Sequence, residues 1–231
     1  FPPLSYHRTT PSGSYALGRS RRAPERFADQ LRSLRESGFR SVGFEELGRA
    51  LRGRRPLPGR AVMLTFDDGC RDFLTDAWPL LRAHGFGATL FVVTDRVGGT
   101  NDWDAVYGER VELLDWDELR SLSRAGVEIG SHTATHPHLT ALSIEEVARE
   151  AARSRAAIIR ELGVEPAAIA YPYGDVDPGV RRIAGGVGYG YGVTTEGRRA
   201  SLLADPLDLP RVEVASTLSI DDFRKVLGLD L

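Results

Sequence analysis

The stretch "AVMLTFDDGC", Ala61 to Cys70, is an apolar run that stops at two adjacent carboxylates, Asp67 and Asp68. A short apolar run bounded by turn chemistry reads as a buried strand of the kind found in parallel sheets. Two like charges side by side at its end repel, so one pKa should rise unless something compensates. Asp-Asp-Gly by itself is ordinary turn chemistry. A cation is the sharper alternative, and the rest of the chain has to discriminate between the two.

Outward from this stretch, short apolar runs alternate with helical patterns. Further strands are expected at Pro3–Tyr6, Arg40–Phe44, Gly87–Val93, Val127–Gly130, Ala167–Tyr171, Tyr189–Thr194 and Leu209–Val214. Helices are expected at Ala23–Ser37, Arg71–His84, Trp116–Ala125, Ser143–Gly163, Pro178–Ala184 and Ile220–Leu227. The fourth opens on Ser143 with Glu146 three residues on, a capping box, and its Arg/Glu-rich sequence suggests a solvated outer helix. Strand–helix alternation this regular implies an α/β protein with a parallel sheet. Seven or eight such units favour a closed or nearly closed barrel formed by residues 1–231 as one domain. An open doubly wound sheet is the second architecture.

The bulk properties narrow the function classes. The formal net charge of −2 gives no global field favouring nucleic acid. Hydrophobic residues make up 42%, enough for a sizeable core, yet no run approaches a membrane span. Cys70 is the only cysteine, which leaves no intrachain disulfide and no cysteine zinc cluster. The sequence begins at Phe1 and not at methionine, which leaves room for an upstream signal or anchor. Composition says nothing of the oligomeric state.

Two more stretches follow expected strands. In "GSHTATHPHL", Gly130 to Leu139, His132 and His136 are four apart, the spacing of one helical face. Pro137 disfavours the α region for His136, so one turn ending there is expected. Two imidazoles and one carboxylate leave coordination positions open, the pattern of a catalytic metal site. In "AYPYGD", Ala170 to Asp175, Pro172 and Gly174 force a rigid turn able to aim a backbone N–H as an oxyanion donor. Each stretch alone has a bland reading as a turn or a surface pattern. Their shared position after strands is the stronger signal, since a barrel gathers its C-terminal strand ends at one mouth. The long loop "VGGTNDWDAVYGE", 97–109, carries Trp103 and Tyr107, whose aromatic faces suit sugar rings at that mouth.

"TFDDG", "SHTATHPHL" and "YPYGD" together resemble the first three motifs of the polysaccharide deacetylases with a NodB-homology domain, carbohydrate esterase family 4. "LSYHR", "RVGGTNDWDAV" and "LPRVEV" look like the branch that contains poly-N-acetylglucosamine deacetylases. The resemblance implies a distorted (β/α) barrel that removes N- or O-acetyl groups from sugars with a divalent metal, usually zinc, and here a carbohydrate substrate with N-acetyl groups is expected. It implies Asp68, His132 and His136 as metal ligands and Asp67 as general base for the activated water. It also implies the Tyr173 backbone N–H as oxyanion donor, with Pro172 and Gly174 of the same turn on the substrate side. Where most of the family has arginine, this chain has Ala170, and the family's C-terminal Leu-x-His histidine is missing. In a circularly permuted barrel His7 takes that histidine's place as catalytic acid, and Arg211 stands in for the arginine that orients Asp67. Two other functions stay open: hydrolysis of a small N-acetyl glycoside or non-sugar amide, and carbohydrate binding on an inactive scaffold. A polymer substrate would go with an extracytoplasmic or envelope location, a small glycoside with the cytoplasm.

Overall fold

Residue parity along the strands decides which side chains face the middle of the molecule. The structure, a computed structural model, describes residues 2–9, 21–53, 56, 57, 59–104, 110–195, 197, 200, 201, 204–215 and 217–229. The chain opens with β1 (Pro3–Tyr6), β2 (Arg8–Thr9), β3 (Arg21–Arg22), α1 (Pro24–Glu36), β4 (Arg40–Ser41) and α2 (Phe44–Leu51). Next come β5 (Ala61–Phe66), α3 (Trp78–His84), β6 (Thr89–Val92), α4 (Trp116–Arg124), β7 (Glu128–Ser131) and α5 (Ile144–Leu162). The last elements are β8 (Ala168–Ala170), α6 (Pro178–Val187), β9 (Tyr191–Val193), β10 (Val212–Glu213) and α7 (Ile220–Val226). Eight strands form one sheet in the order β10-β1-β5-β6-β7-β8-β9, with β4 also on β5, and every strand pair in it is parallel. The sheet curls into a distorted (β/α) barrel. No helix among the described residues is long and apolar enough to cross a membrane.

The segment 209–214 draws the two ends of the curl together. Leu209 donates to the Gly192 carbonyl (2.8 Å) and accepts from Thr194 (3.0 Å) at β9, while Val214 donates to Ser5 (3.0 Å) at β1. Val62, Leu64 and Phe66 of β5 point outward, into a core shared with Leu4 and Tyr6 of β1 and with helix residues such as Phe27, Leu81 and Leu119. Ala61 and Met63 point inward with Phe91, Ala168, Ala170 and Val193. The same alternation turns Thr65 and Asp67 inward, and on β1 it turns Ser5 and His7 inward. Tyr6 pairs with Phe66, so His7 and Asp67 follow one another side by side at the strand ends.

Several boundaries differ from expectation. The strand expected at Arg40–Phe44 stops at Ser41, and Phe44 begins α2. That helix lacks a cap of its own; Glu128 of β7 accepts from the Phe44 and Glu45 amides (2.9 and 3.2 Å), a partner supplied from a distant strand. The helix expected at Arg71–His84 opens with a π-helical stretch, Phe73–Ala77, before α3. The Ser143 capping box forms as expected.

Arg211 locks the seam. Its side chain is fully buried, 0% exposed, and reaches across the interior. Nε donates to the Thr194 carbonyl (3.0 Å), Nη1 to Thr65 Oγ1 (3.0 Å), and Nη1 and Nη2 each to one Asp67 oxygen (2.7 Å both). Phe91 lies under the guanidinium at 5.6 Å. A two-pronged pair in a low dielectric is strong, but each charge has lost its water, so the pair is valuable chiefly against the broken alternative.

Two predictions follow from the packing. A Cβ at Gly130 would lie 2.5 Å from the buried Phe91 ring, so Gly130→Ala should cost about 1–3 kcal/mol. Urea unfolding checks this, and unchanged stability would mean that Phe91 has room to turn away. Arg211→Met should cost about 3–5 kcal/mol by leaving Asp67 buried and unpaired. Arg211→Met/Asp67→Asn should recover a measurable part of that loss; a double variant no more stable than Arg211→Met would show that the carboxylate is not what suffers.

Candidate metal and catalytic site

The loops at the C-terminal ends of β1, β5, β7, β8 and β10 surround a cavity of about 220 Å³. His7, Asp67, Asp68, His132, His136 and Tyr173 all line it. Trp103 stands beside it and Arg211 beneath Asp67. Pro172 is buried, and Gly174 backs onto Thr195, where a Cβ would come within 2.3 Å of the hydroxyl; neither lines the cavity. Tyr107 lies outside the described residues.

Local backbone geometry sets the donors. Asp68 (φ 73°), Thr133 (66°), His136 (67°) and Tyr173 (59°) are the non-glycine residues with left-handed backbone among those described, and all belong to the site loops. Such conformations cost about 1–3 kcal/mol each and persist only where surroundings over-determine them. At Asp68 the left-handed step turns its carboxylate away from Asp67, into the space between the two imidazoles. The segment from His132 to His136 is an irregular loop, not the helical turn its spacing suggests. Thr133 Oγ1 accepts from the His136 amide (3.0 Å), and Ser131 Oγ accepts from the Thr133 amide (3.2 Å). Glu150 of α5 accepts from the Ala134 and Thr135 amides and the Thr135 hydroxyl. The expectation that this helix is simply solvated is therefore corrected: Val147, Ala151, Ser154 and Ile158 are buried, and Glu150 lies along the same face.

The imidazole tautomers follow from hydrogen bonds. His132 Nδ1 is 2.8 Å from the Ala170 carbonyl, which can only accept. Nδ1 therefore carries the proton and Nε2 presents its lone pair inward. His132 Nε2 and His136 Nε2 lie 3.5 and 3.6 Å from Asp68 Oδ1, and one donor atom from each residue falls within 4.8 Å of the others. Donors on bonds of about 2.1 Å in a tetrahedral shell stand roughly 3.4 Å apart, so the set fits a divalent ion and leaves coordination positions open.

The electrostatics divide the two aspartates. Burial works against the Asp67 charge, but Arg211 outweighs it, with help from His132 and His7, and holds the carboxyl below the ordinary range. Burial likewise opposes the Asp68 charge, and the neighbouring imidazoles of His132, His136 and His7 bring its pKa down. Burial opposes the charged form of His132, but the neighbouring carboxylates of Asp68 and Asp67 raise its pKa. His136 is pushed down to about 3 by burial and by neighbouring His132, which keeps it a neutral donor.

Aromatic rings wall one side. Trp103 stacks on His136 (4.6 Å between centroids, 20°), His136 meets Tyr173 edge-on (4.7 Å), and Tyr173 stacks on His138 (4.0 Å, 14°). Trp103 is half-buried and packs against Cys70, Val111 and Leu113, so one of its faces belongs to His136 and not to the rim. Asn101, Asp104, Thr195 and Glu213 also line the cavity and were not singled out in the sequence. Of these, Glu213 had a readable signal, since it shares strand parity with Arg211.

Comparison with known proteins agrees with this geometry. The polysaccharide deacetylase family model matches residues 54–192. YxkH of Bacillus subtilis is 28% identical over 219 residues, covering 94% of this chain and 72% of that protein. The poly-β-1,6-N-acetyl-D-glucosamine N-deacetylase of Escherichia coli K12 is 37% identical over 112 residues, which take in 46% of this chain and only 16% of that enzyme. Among solved structures, the Streptococcus pyogenes deacetylase PplD in complex with acetate superposes with TM-score 0.83 at 25% identity, over 98% of this chain and 97% of that one. IcaB from Ammonifex degensii gives 0.80 at 27% identity, over 99% and 95%. With the matched residues taking in more than half of its length, the chain belongs to the polysaccharide deacetylase family.

Proposed function

We propose that this protein is a divalent-metal-dependent hydrolase that removes N-acetyl groups from an amino-sugar polymer or oligosaccharide. The observation that carries the reading is the buried Asp67, held ionised by Arg211, beside the Asp68–His132–His136 donor set on one open cavity. Asp67 is ionised and its carboxylate bonds none of the donor set, so it is available to accept a proton from the attacking water. The relative named a poly-β-1,6-N-acetyl-D-glucosamine N-deacetylase, and a further relative named a chitin deacetylase, support the substrate class. Asp68, His132 and His136 would hold the ion, with zinc favoured by two imidazoles and one carboxylate. Bound there, it would act as a Lewis acid on the acyl oxygen and lower the pKa of the attacking water.

The chain's own groups supply the proton traffic. Asp67 takes the proton as the water oxygen bonds to the acyl carbon. The Tyr173 backbone N–H, carried on its left-handed turn, is assigned to the developing oxyanion. His7, next to Asp67 on the inward face, delivers a proton to the leaving nitrogen as the C–N bond breaks. Acetate and the free amine result. Arg211 is a positioning residue that keeps Asp67 ionised and fixed. Trp103 holds the His136 ring, and its remaining surface, with Tyr107, is assigned to the sugar.

Acetate release over N-acetylglucosamine oligomers, acetylated xylan and small N-acetyl glycosides tests the proposal; it expects the oligomers to be turned over best, and activity confined to the small glycosides would overturn the polymer assignment. About one divalent ion per chain should be retained or required, and full activity after exhaustive chelation would overturn metal dependence. Asp67→Asn should keep the ion and lose roughly 10²–10⁴-fold in kcat, whereas Asp68→Asn should weaken metal binding. Equal loss of metal in both variants would mean that base and ligand are wrongly divided. His7→Ala should lower kcat on the amide with metal content unchanged and spare an activated acetyl ester, whose leaving group needs little protonation. Normal kcat on the amide would remove His7 from the mechanism.

A further inference from the structure

We propose that Glu150 of α5 is a positioning residue that fixes the loop between His132 and His136 in its donor-presenting shape before any ion arrives, with the neighbouring Arg153 a minor, screened support. The inference rests on the proposed metal site but concerns the chain that builds it. Glu150 Oε2 accepts from the Ala134 amide (3.0 Å) and the Thr135 amide (2.8 Å), and Oε1 accepts from the Thr135 hydroxyl (2.9 Å). From the other side, the Asp95 amide donates to the Ala134 carbonyl (2.9 Å) and the Thr94 amide to the Thr133 carbonyl (3.2 Å). The Asp95 carboxylate pairs with Arg153. Ala134 is thus gripped by its N–H and by its C=O, and both grips lead back to the same helix.

The circuit answers a local problem. Thr133 and His136 are both left-handed, and His136 precedes a proline. Within the loop, Thr133 Oγ1 accepts from the His136 amide and Ser131 Oγ from the Thr133 amide, but neither left-handed residue is a glycine, so the shape needs support from outside as well. A carboxylate accepting successive amides makes charge-assisted bonds of the stronger class. With those bonds gone, Thr133 and His136 can relax toward negative φ, and His136 Nε2 swings off its line to Asp68. His132 is held separately through Ala170, so the damage should fall on one donor of the set. Arg153 is two-thirds exposed (65%), and its pair is screened, so it should matter less than Glu150.

The test compares Glu150→Ala, Glu150→Gln and Arg153→Ala with Arg149→Ala, a neighbour on the same helix as control. Zinc affinity is measured by competition with a chromophoric chelator, and the visible spectrum of the cobalt-loaded protein is recorded. Loss of affinity of about 10–100-fold is expected for Glu150→Ala, less for Glu150→Gln, and under about threefold for Arg153→Ala and Arg149→Ala. The cobalt bands should shift in the Glu150 variants only. A helix-stability role alone would lower the melting temperature and leave the cobalt spectrum of the folded protein unchanged. Amide hydrogen exchange on chelated protein gives a metal-independent reading: the Ala134 and Thr135 amides should exchange about tenfold or more faster in Glu150→Gln. If Glu150→Ala does not fold, Glu150→Gln decides. Wild-type affinity and wild-type exchange in Glu150→Gln would overturn the inference. A wild-type protein that binds no zinc would overturn the metal-site reading instead, and the exchange data would still judge the clamp.

Discussion

The buried pair between Arg211 and Asp67 joins residues 144 apart in sequence, and the other features of the site are arranged around it. A guanidinium and a carboxylate taken out of water cost several kcal/mol each before they attract one another. Here the cost is offset by two short parallel hydrogen bonds, by Thr65 and the Thr194 carbonyl, and by the Phe91 ring beneath the cation. The same contacts fasten the end of β9, the end of β5 and the segment before β10. One interaction therefore closes the barrel and fixes the charge of a group on its cavity. It also separates two adjacent aspartates electrostatically, since the guanidinium belongs to Asp67 and the imidazoles to Asp68.

Strain and support are distributed unevenly. The left-handed non-glycine residues lie on the loops after β5, β7 and β8, while the strands beneath them are regular and buried. Close-packed layers on both faces of the sheet supply what the loops lack. Phe91 and Gly130 show how tight the interior is, and Ala168 and Ala170 leave room for the ring of Phe91 and the reach of Arg211. The mouth is held from outside as well, because α5 addresses the loop after β7 with a carboxylate.

Much of this was legible in the sequence, and the exceptions have a common physical cause. Strand β5 has the limits its apolar run suggests, Ala61 to Phe66, because a run buried on both faces admits no slippage. Asp68, His132 and His136 converge because each follows a parallel strand, and position after a strand is readable. The shape of the His132–His136 loop was not, since the helical spacing of two histidines is also met by an irregular turn pinned by Glu150, 14 residues beyond His136 on α5. The start of α2 was missed for the same reason: its cap, Glu128, arrives from β7. Both faces of Trp103 looked available to sugar at the mouth, because a tryptophan in a polar loop gives no sign that an imidazole will cover one of them. Local pattern reports what a residue's neighbours in sequence demand, and each miss involves a partner supplied by the fold.

The position of β1 between β10 and β5 bears on how the protein comes to be made. Leu4 pairs with Val212, so one of the strand contacts flanking the cavity spans almost the entire sequence. Parallel pairings across such separations are slow, because loop-closure entropy is lost before any contact rewards it. During synthesis β5, with its two aspartates, leaves the ribosome long before Arg211 does. Until then Asp67 has no guanidinium and the curl has no seam. The half-finished sheet presents open edges at β1 and β9, the kind of surface that chaperones cover and that pairs wrongly with other chains. The cavity is therefore among the last parts of the molecule to form, and its completion coincides with the removal of the exposed edges.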